Sequence, residues 1–173
     1  MDTPNTCVAT YKTHHAADDA VKQLQKSGFD MKKISVVGND YHTDEHVVGY
    51  YNTGDRMKAW GKIGAFWGGL WGILVGAAFF VIPGIGPLVI AGPLTAAIVG
   101  GLEGAAVMGG LSALGGGLAG MGIPKDSIVR YENSLSAGSF LVLYNDVENK
   151  VAEASKVLME NTEHDSVETH TTN

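Results

Sequence analysis

Two stretches of patterned hydrophobic and polar residues enclose a long one that carries no charge. Cys7-Val8-Ala9-Thr10-Tyr11 has the β-branched and aromatic content of a strand. From His14, His15, Asp18 and Asp19 a helical pattern follows, in which Ala16, Ala20, Val21 and Leu24 share one face and Gly28 is the C-terminal cap. Ile34-Ser35-Val36-Val37-Gly38 reads as a second strand. The pattern resumes at Ile123-Pro124-Lys125, which starts a short helix through Tyr131 and Leu135. Ser139 to Tyr144 is a strong strand, Asn149 to Leu158 is helical with Val151, Ala154 and Leu158 inward, and Ser166 to His170 is a last strand.

With the middle set aside, the order is β-α-β twice. It predicts an α+β fold, a ferredoxin-like (split β-α-β) domain with a four-stranded antiparallel sheet and two helices on one face. Residues 1–56 hold the first half and a loop, and residues 123–173 hold the second. Between them, residues 57–122 form a glycine-rich hydrophobic insertion.

From Ile63 to Leu102 there are forty residues without Asp, Glu, Lys or Arg. About 18 apolar residues already make a candidate membrane span, so this run predicts a helical hairpin of two transmembrane passes. The first pass is Trp60 to Ile82, 23 residues or roughly 34 Å as a helix, against a hydrocarbon core of about 30 Å. Pro83, Gly84, Gly86 and Pro87 supply the turn. The return from Pro87 to Gly122 is too long for one simple pass, so an irregular stretch to Pro93 followed by one helix to about Met121 fits better.

Small residues recur every fourth position on both arms: Gly64, Gly68, Gly72 and Gly76 on the first, and Ala97, Gly101, Ala105, Gly109, Ala113 and Gly117 on the second. Rows of this kind let helices approach closely in lipid, within a hairpin or between subunits. Trp60, Trp67 and Trp71 share another face, as lipid-facing or packing surface. Arg56, Lys58 and Lys62 precede the first pass, and Lys125 and Arg130 follow the second. Basic residues at both ends predict a cytoplasmic-membrane protein with both termini in the cytoplasm.

Composition sharpens this division. Nineteen of the 24 glycines lie between Gly61 and Gly122. The net charge of −6 argues against a nucleic-acid partner, because no basic patch is present to displace phosphate counterions. Cys7 is the single cysteine and has no CxxC partner, which suits a reducing compartment. The first six residues lack the basic and apolar regions of a signal peptide.

Chemistry is sparse. Glu103 is the one acidic residue of the hydrophobic body, and an intramembrane carboxylate is a functional candidate: it could gate a pore, carry a proton or pair across subunits. Structurally, it could instead be protonated or bonded to groups such as Thr95. Gly115-Gly116-Gly117 lacks the Lys-Ser/Thr ending of a phosphate loop. His42, Asp44, Glu45 and His46, with His14 and His15 if the fold brought them close, are metal-capable types in a polar loop. No catalytic, cofactor-binding or metal-binding residue is assigned, and no cofactor or small-molecule substrate is expected.

The segment from His46 to Lys62, the turn from Ile82 to Pro87 with Ala91-Gly92-Pro93, and Gly122-Ile123-Pro124-Lys125 with Tyr131-Glu132 resemble a bacterial family. It is the general stress protein and low-temperature-induced protein group, small membrane proteins of unknown function. The resemblance spans nearly the whole chain and implies a stress-linked protein with a glycine-rich hairpin inside an α+β domain. It brings no catalytic residues.

The expectation is therefore a membrane-anchored homo-oligomer, structural or regulatory and not an enzyme, with lipid and its own copies as partners. One alternative buries the hairpins in the core of a soluble particle or filament. Another is a channel with Glu103 in the passage.

Overall fold

The structure is a computed structural model that describes residues 5–39, 78–82, 85–99 and 112–171. Its elements, in chain order, are β1 (Asn5–Tyr11), α1 (His14–Lys26), a 3-10 turn (Met31–Lys33), β2 (Ile34–Asn39), β3 (Ala78–Ile82) and β4 (Gly86–Ala91). Residues 93–99 are helical. Then come α2 (Ala113–Gly120), α3 (Lys125–Ser136), β5 (Phe140–Asp146), α4 (Glu148–Asn161) and β6 (Ser166–His170).

Local chemistry accounts for the helix ends. Thr13 caps α1 by accepting from the Ala16 amide at 3.1 Å, and Gly28 takes the left-handed φ of +84° that a chain leaving a helix requires.

The sheet has six strands in the order β3-β4-β2-β5-β1-β6, each paired antiparallel with its neighbours. Strand β5 lies between β1 and β2, in register from Asn5↔Asp146 to Tyr11↔Phe140 on one side and from Ile34↔Tyr144 to Val37↔Leu141 on the other. The units β1-α1-β2 and β5-α4-β6 thus interleave, which is the split β-α-β connectivity.

Strand periodicity sorts the core into two layers. Cys7, Ala9, Tyr11, Ile34, Val36, Val142 and Tyr144 face α1 and α4, where Val21, Leu24, Val151 and Leu158 complete the layer. Val8, Val37, Leu88, Ile90, Leu141 and Leu143 point the other way. Over them lie Leu94 and Ile98 of the 93–99 helix, Leu114 and Leu118 of α2, and Ile128, Tyr131 and Leu135 of α3. Helices cover both faces of the sheet.

The apolar insertion departs from expectation. The end of its first arm is not helical: Ala78–Ile82 is strand β3 and pairs from Ala78↔Ile90 to Ile82↔Gly86, while residues 60–77 lie outside the described residues. Phe79, Phe80, Val81 and Ile82 are aromatic or β-branched, and the β3-β4 hairpin extends the sheet from the edge of β2 through Val36↔Ala91 to Asn39↔Leu88. The Pro-Gly turn accordingly joins strands: Gly86 and Pro87 open β4, while Pro83 and Gly84 lie outside the described residues.

The return arm is not one helix either. Ser112 begins a new one by accepting from the Gly115 amide at 3.0 Å, and Gly117 of α2 packs on the 93–99 helix. A Cβ at Gly117 would stand 2.6 Å from Ile98 Cγ1. Among the described residues no helix is long and apolar enough to cross a membrane.

Candidate functional site

Two polar clusters stand out. The first joins α3 to β6. Ser127, Arg130 and Tyr131 are spaced by three and four on one side of α3, and Glu168 and His170 alternate onto one face of β6. Arg130 grips Glu168 with both terminal nitrogens, at 2.6 Å to Oε1 and 2.8 Å to Oε2, and Arg130 Nη2 also donates to Ser127 at 3.0 Å. The Tyr131 hydroxyl lies 3.1 Å from Glu168 Oε2 and 2.6 Å from His170 Nε2.

The electrostatics follow from these contacts. The Arg130 guanidinium holds Glu168 below the usual carboxylate range. Burial raises the Tyr131 phenol, aided by the Glu168 charge, and burial lowers His170 despite that same charge. At neutral pH the cluster holds a carboxylate, a phenol and a neutral imidazole.

The neighbouring hydroxyls are committed. Thr6, opposite His170 in the sheet, donates to the Met121 carbonyl at 2.8 Å, and Ser127 accepts from Arg130. The arrangement fastens a strand to a helix, and the hydroxyl that meets the histidine is the Tyr131 phenol.

The second cluster lines a cleft of about 180 Å³ bounded by Gly28, Phe29, Asp30, Tyr144, Asp146 and Lys150, among others. The Phe29 and Tyr144 rings meet edge to face at 5.2 Å. Asp146 accepts from Lys33 Nζ at 2.7 Å, from the Tyr144 hydroxyl at 2.8 Å and from the Val147 amide at 2.8 Å. Burial works to raise its pKa, and those three bonds outweigh it and bring it down. Asp30 caps the 3-10 turn by accepting from the Lys32 amide, and Lys150 bonds Glu153, so each of these charges has a partner.

Of the residues singled out in the sequence, Gly64, Gly68, Gly72, Gly76, Gly101, Ala105, Gly109, Glu103, His42, His46 and the three tryptophans lie outside the described residues. Ala97 and Ala113 are half-buried against the second core layer, and Gly117 is buried within it. His14 sits 3.5 Å from Asp18 and edge-on to Phe140, and His15 lies 3.0 Å from Asp19. Among the described residues no three His, Cys, Asp or Glu side chains group as metal ligands. Cys7 is buried, its thiol pushed up to about 12 by desolvation against the effect of a hydrogen bond with Ser155. Arg130, read from sequence as a membrane flank, is the partner of Glu168.

The cluster on α3 and β6 was not legible beforehand. An alternating Glu-x-His and an adjacent Arg-Tyr are common pairs, and their meeting across 38 positions is a tertiary fact.

The molecule is thus a mixed α+β protein on an antiparallel sheet whose polar clusters hold elements together. Residues 6–80, fewer than half of the 173, match the model of the heat induced stress protein YflT domain. The match supports the resemblance to a bacterial general stress protein family. It takes in β1, α1 and β2 and stops inside β3, so the strand that separates β1 from β2 lies beyond it. No curated protein and no solved structure matches the chain.

Proposed function

We propose that this is a stress-associated structural or regulatory protein that acts by self-association and catalyses no reaction, with its apolar segment as the element that brings copies together. The stress association rests on the family resemblance and on the match over residues 6–80. The observation that carries this reading is that residues 40–77 are flanked by two strands of one sheet, β2 before them and β3 after them.

Only β4 separates those two strands, a distance of roughly 10 Å at two strand spacings. A single membrane crossing between them would put neighbouring strands of one sheet on opposite sides of the bilayer. Two crossings need about 40 apolar residues, and the uncharged part from Ile63 to Ala77 has 15. The connectivity favours copies meeting through this segment, in a particle or filament, over a spanning hairpin.

The second reading is attachment to the cytoplasmic face of a bacterial membrane. It is favoured by Trp67 and Trp71 in the run free of charge after Lys62, with Trp60 just before it. Here the segment enters and leaves lipid on the same side.

Detergent-free fractionation of the full chain, followed by light scattering, separates the two. A uniform high-mass species in the soluble fraction is expected. Protein that sediments with membranes and is released only by detergent supports the second reading, and a monomer without lipid removes both.

A further inference from the structure

Among the described residues strand β6 ends the sheet and pairs with β1 alone, from Thr6↔His170 to Thr10↔Ser166. Five residues of ladder are a modest hold. Its side chains add to this hold: Val167 packs on the core layer under α4, Ser166 bonds Thr10, and Glu168 and His170 reach α3 through Arg130 and the Tyr131 hydroxyl.

The Tyr131 hydroxyl has a single hydrogen and two partners, Glu168 Oε2 and His170 Nε2. An ionised carboxylate only accepts. All three groups are satisfied in one arrangement: His170 is neutral with its hydrogen on Nε2, it donates to the Tyr131 oxygen, and Tyr131 donates to Glu168. A proton added at Nδ1 leaves these bonds in place and brings a second positive charge to a cluster with one carboxylate. Glu168 is the cluster's carboxylate and is engaged by both nitrogens of Arg130, whereas His170 Nε2 stands 3.8 Å from it.

We propose that Tyr131, Glu168 and His170 form an acid-sensitive latch, in which a proton taken up by His170 loosens β6 from α3 and leaves the edge of β1 open. An imidazolium here would be 8 % exposed, without a carboxylate of its own and beside the Arg130 guanidinium. A buried charge whose nearest carboxylate, Glu168 at 3.8 Å, is already engaged by Arg130 is costly, and peeling the strand away returns it to water.

Each packed element supplies its part. From α3 come Arg130 and Tyr131, and from β6 comes Glu168. Strand β1 places Thr6 opposite, which is uncharged, and beside it Cys7, whose thiol stays protonated with a pKa of about 12. Burial lowers the affinity of His170 for a proton in the closed form. The sign follows. The latch is at full strength above the ordinary histidine value of about 6.5 and weakens as pH falls below it, because the open form takes the proton first.

Hydrogen exchange on the full chain at about pH 7.5 and about pH 5.5, corrected for intrinsic rates, tests this with β5 as the internal reference. Protection of β6 is expected to fall on acidification, by up to about tenfold per pH unit, while β5 keeps its protection. In His170→Asn, which cannot take up the proton, the difference between the two pH values should vanish. Equal loss in β5 and β6, no loss in β6, or an undiminished pH response in His170→Asn would overturn the proposal. Should that variant lose β6 at both pH values, an NMR titration of the wild-type imidazole decides. His170 should titrate below the ordinary value with the β6 amides following the same midpoint, and titration at or above that value sinks the latch.

Discussion

Gly92 lies so close to Ile34 that a Cβ on it would stand 2.1 Å from the Ile34 carbonyl oxygen. This contact marks the place where the apolar insertion folds onto the sheet. The chain leaves β4 beside β2, turns with a φ of +92° at Gly92, and starts the 93–99 helix, whose Leu94 amide donates to Ser35 Oγ at 3.0 Å. The two halves of the alternating pattern and the uncharged run between them share one body at this point.

Gly92→Ala should therefore be strongly destabilising. The left-handed backbone alone costs about 1–2 kcal/mol for a residue with a Cβ, and the approach to backbone atoms of Ile34 and Ser35 adds to it. A thermal melt should show a lowered midpoint, and an unchanged one would mean that the turn is not packed against β2.

Gly117 distinguishes the folded insertion from a free helix. On an unpacked helix, Gly117→Ala would gain about 1 kcal/mol in propensity. Here the added methyl meets Ile98 at 2.6 Å from Cγ1 and 3.2 Å from the backbone nitrogen, so a loss of about 1–3 kcal/mol from overpacking is expected instead. Chemical denaturation reads the sign directly.

Asp146 sets part of the acid limit of stability. Its folded pKa is lowered: burial opposes this, and the bonds from Lys33, Tyr144 and Val147 prevail. Its contribution is present above the ordinary carboxylate range and is lost as pH falls through the folded value. Asp146→Asn should cost roughly 1–3 kcal/mol at neutral pH and flatten the acid limb of a stability-versus-pH curve. A parallel downward shift with the limb unchanged would assign that limb to other carboxylates.

Cys7 should be inert in the native protein. With its thiol raised to about 12 by burial and its side chain at 0 % exposure, almost no thiolate is present at neutral pH. Labelling by a thiol reagent should proceed only as the protein unfolds, at a rate that rises with denaturant. Rapid stoichiometric labelling in native buffer would contradict the packing of β1 beneath α4.

The elements of the flanking halves could be read from their patterns because local rules set them. The β-branched and aromatic content of Cys7 to Tyr11 and of Ser139 to Tyr144 marks them as strands, and the spacing of Val21 and Leu24 or of Val151 and Leu158 reports which helix face is buried. The same reading fails between Ala78 and Gly120. A run that is apolar throughout has no face to report, so strand, buried helix and membrane span give one signal.

The amino-acid sequence by itself determined the two β-α-β units, the inward faces of their helices and the absence of charge from Ile63 to Leu102. Those properties depend on residues a few positions apart. Only the tertiary structure decided that Ala78–Ile82 is a strand, that Leu114 and Leu118 cover the sheet, and that Tyr131 meets His170. The reason is physical: each of these depends on a surface made by distant parts of the chain, the edge of β2, the second face of β5 and the last strand beside β1, and no window along the sequence contains both sides of such a contact.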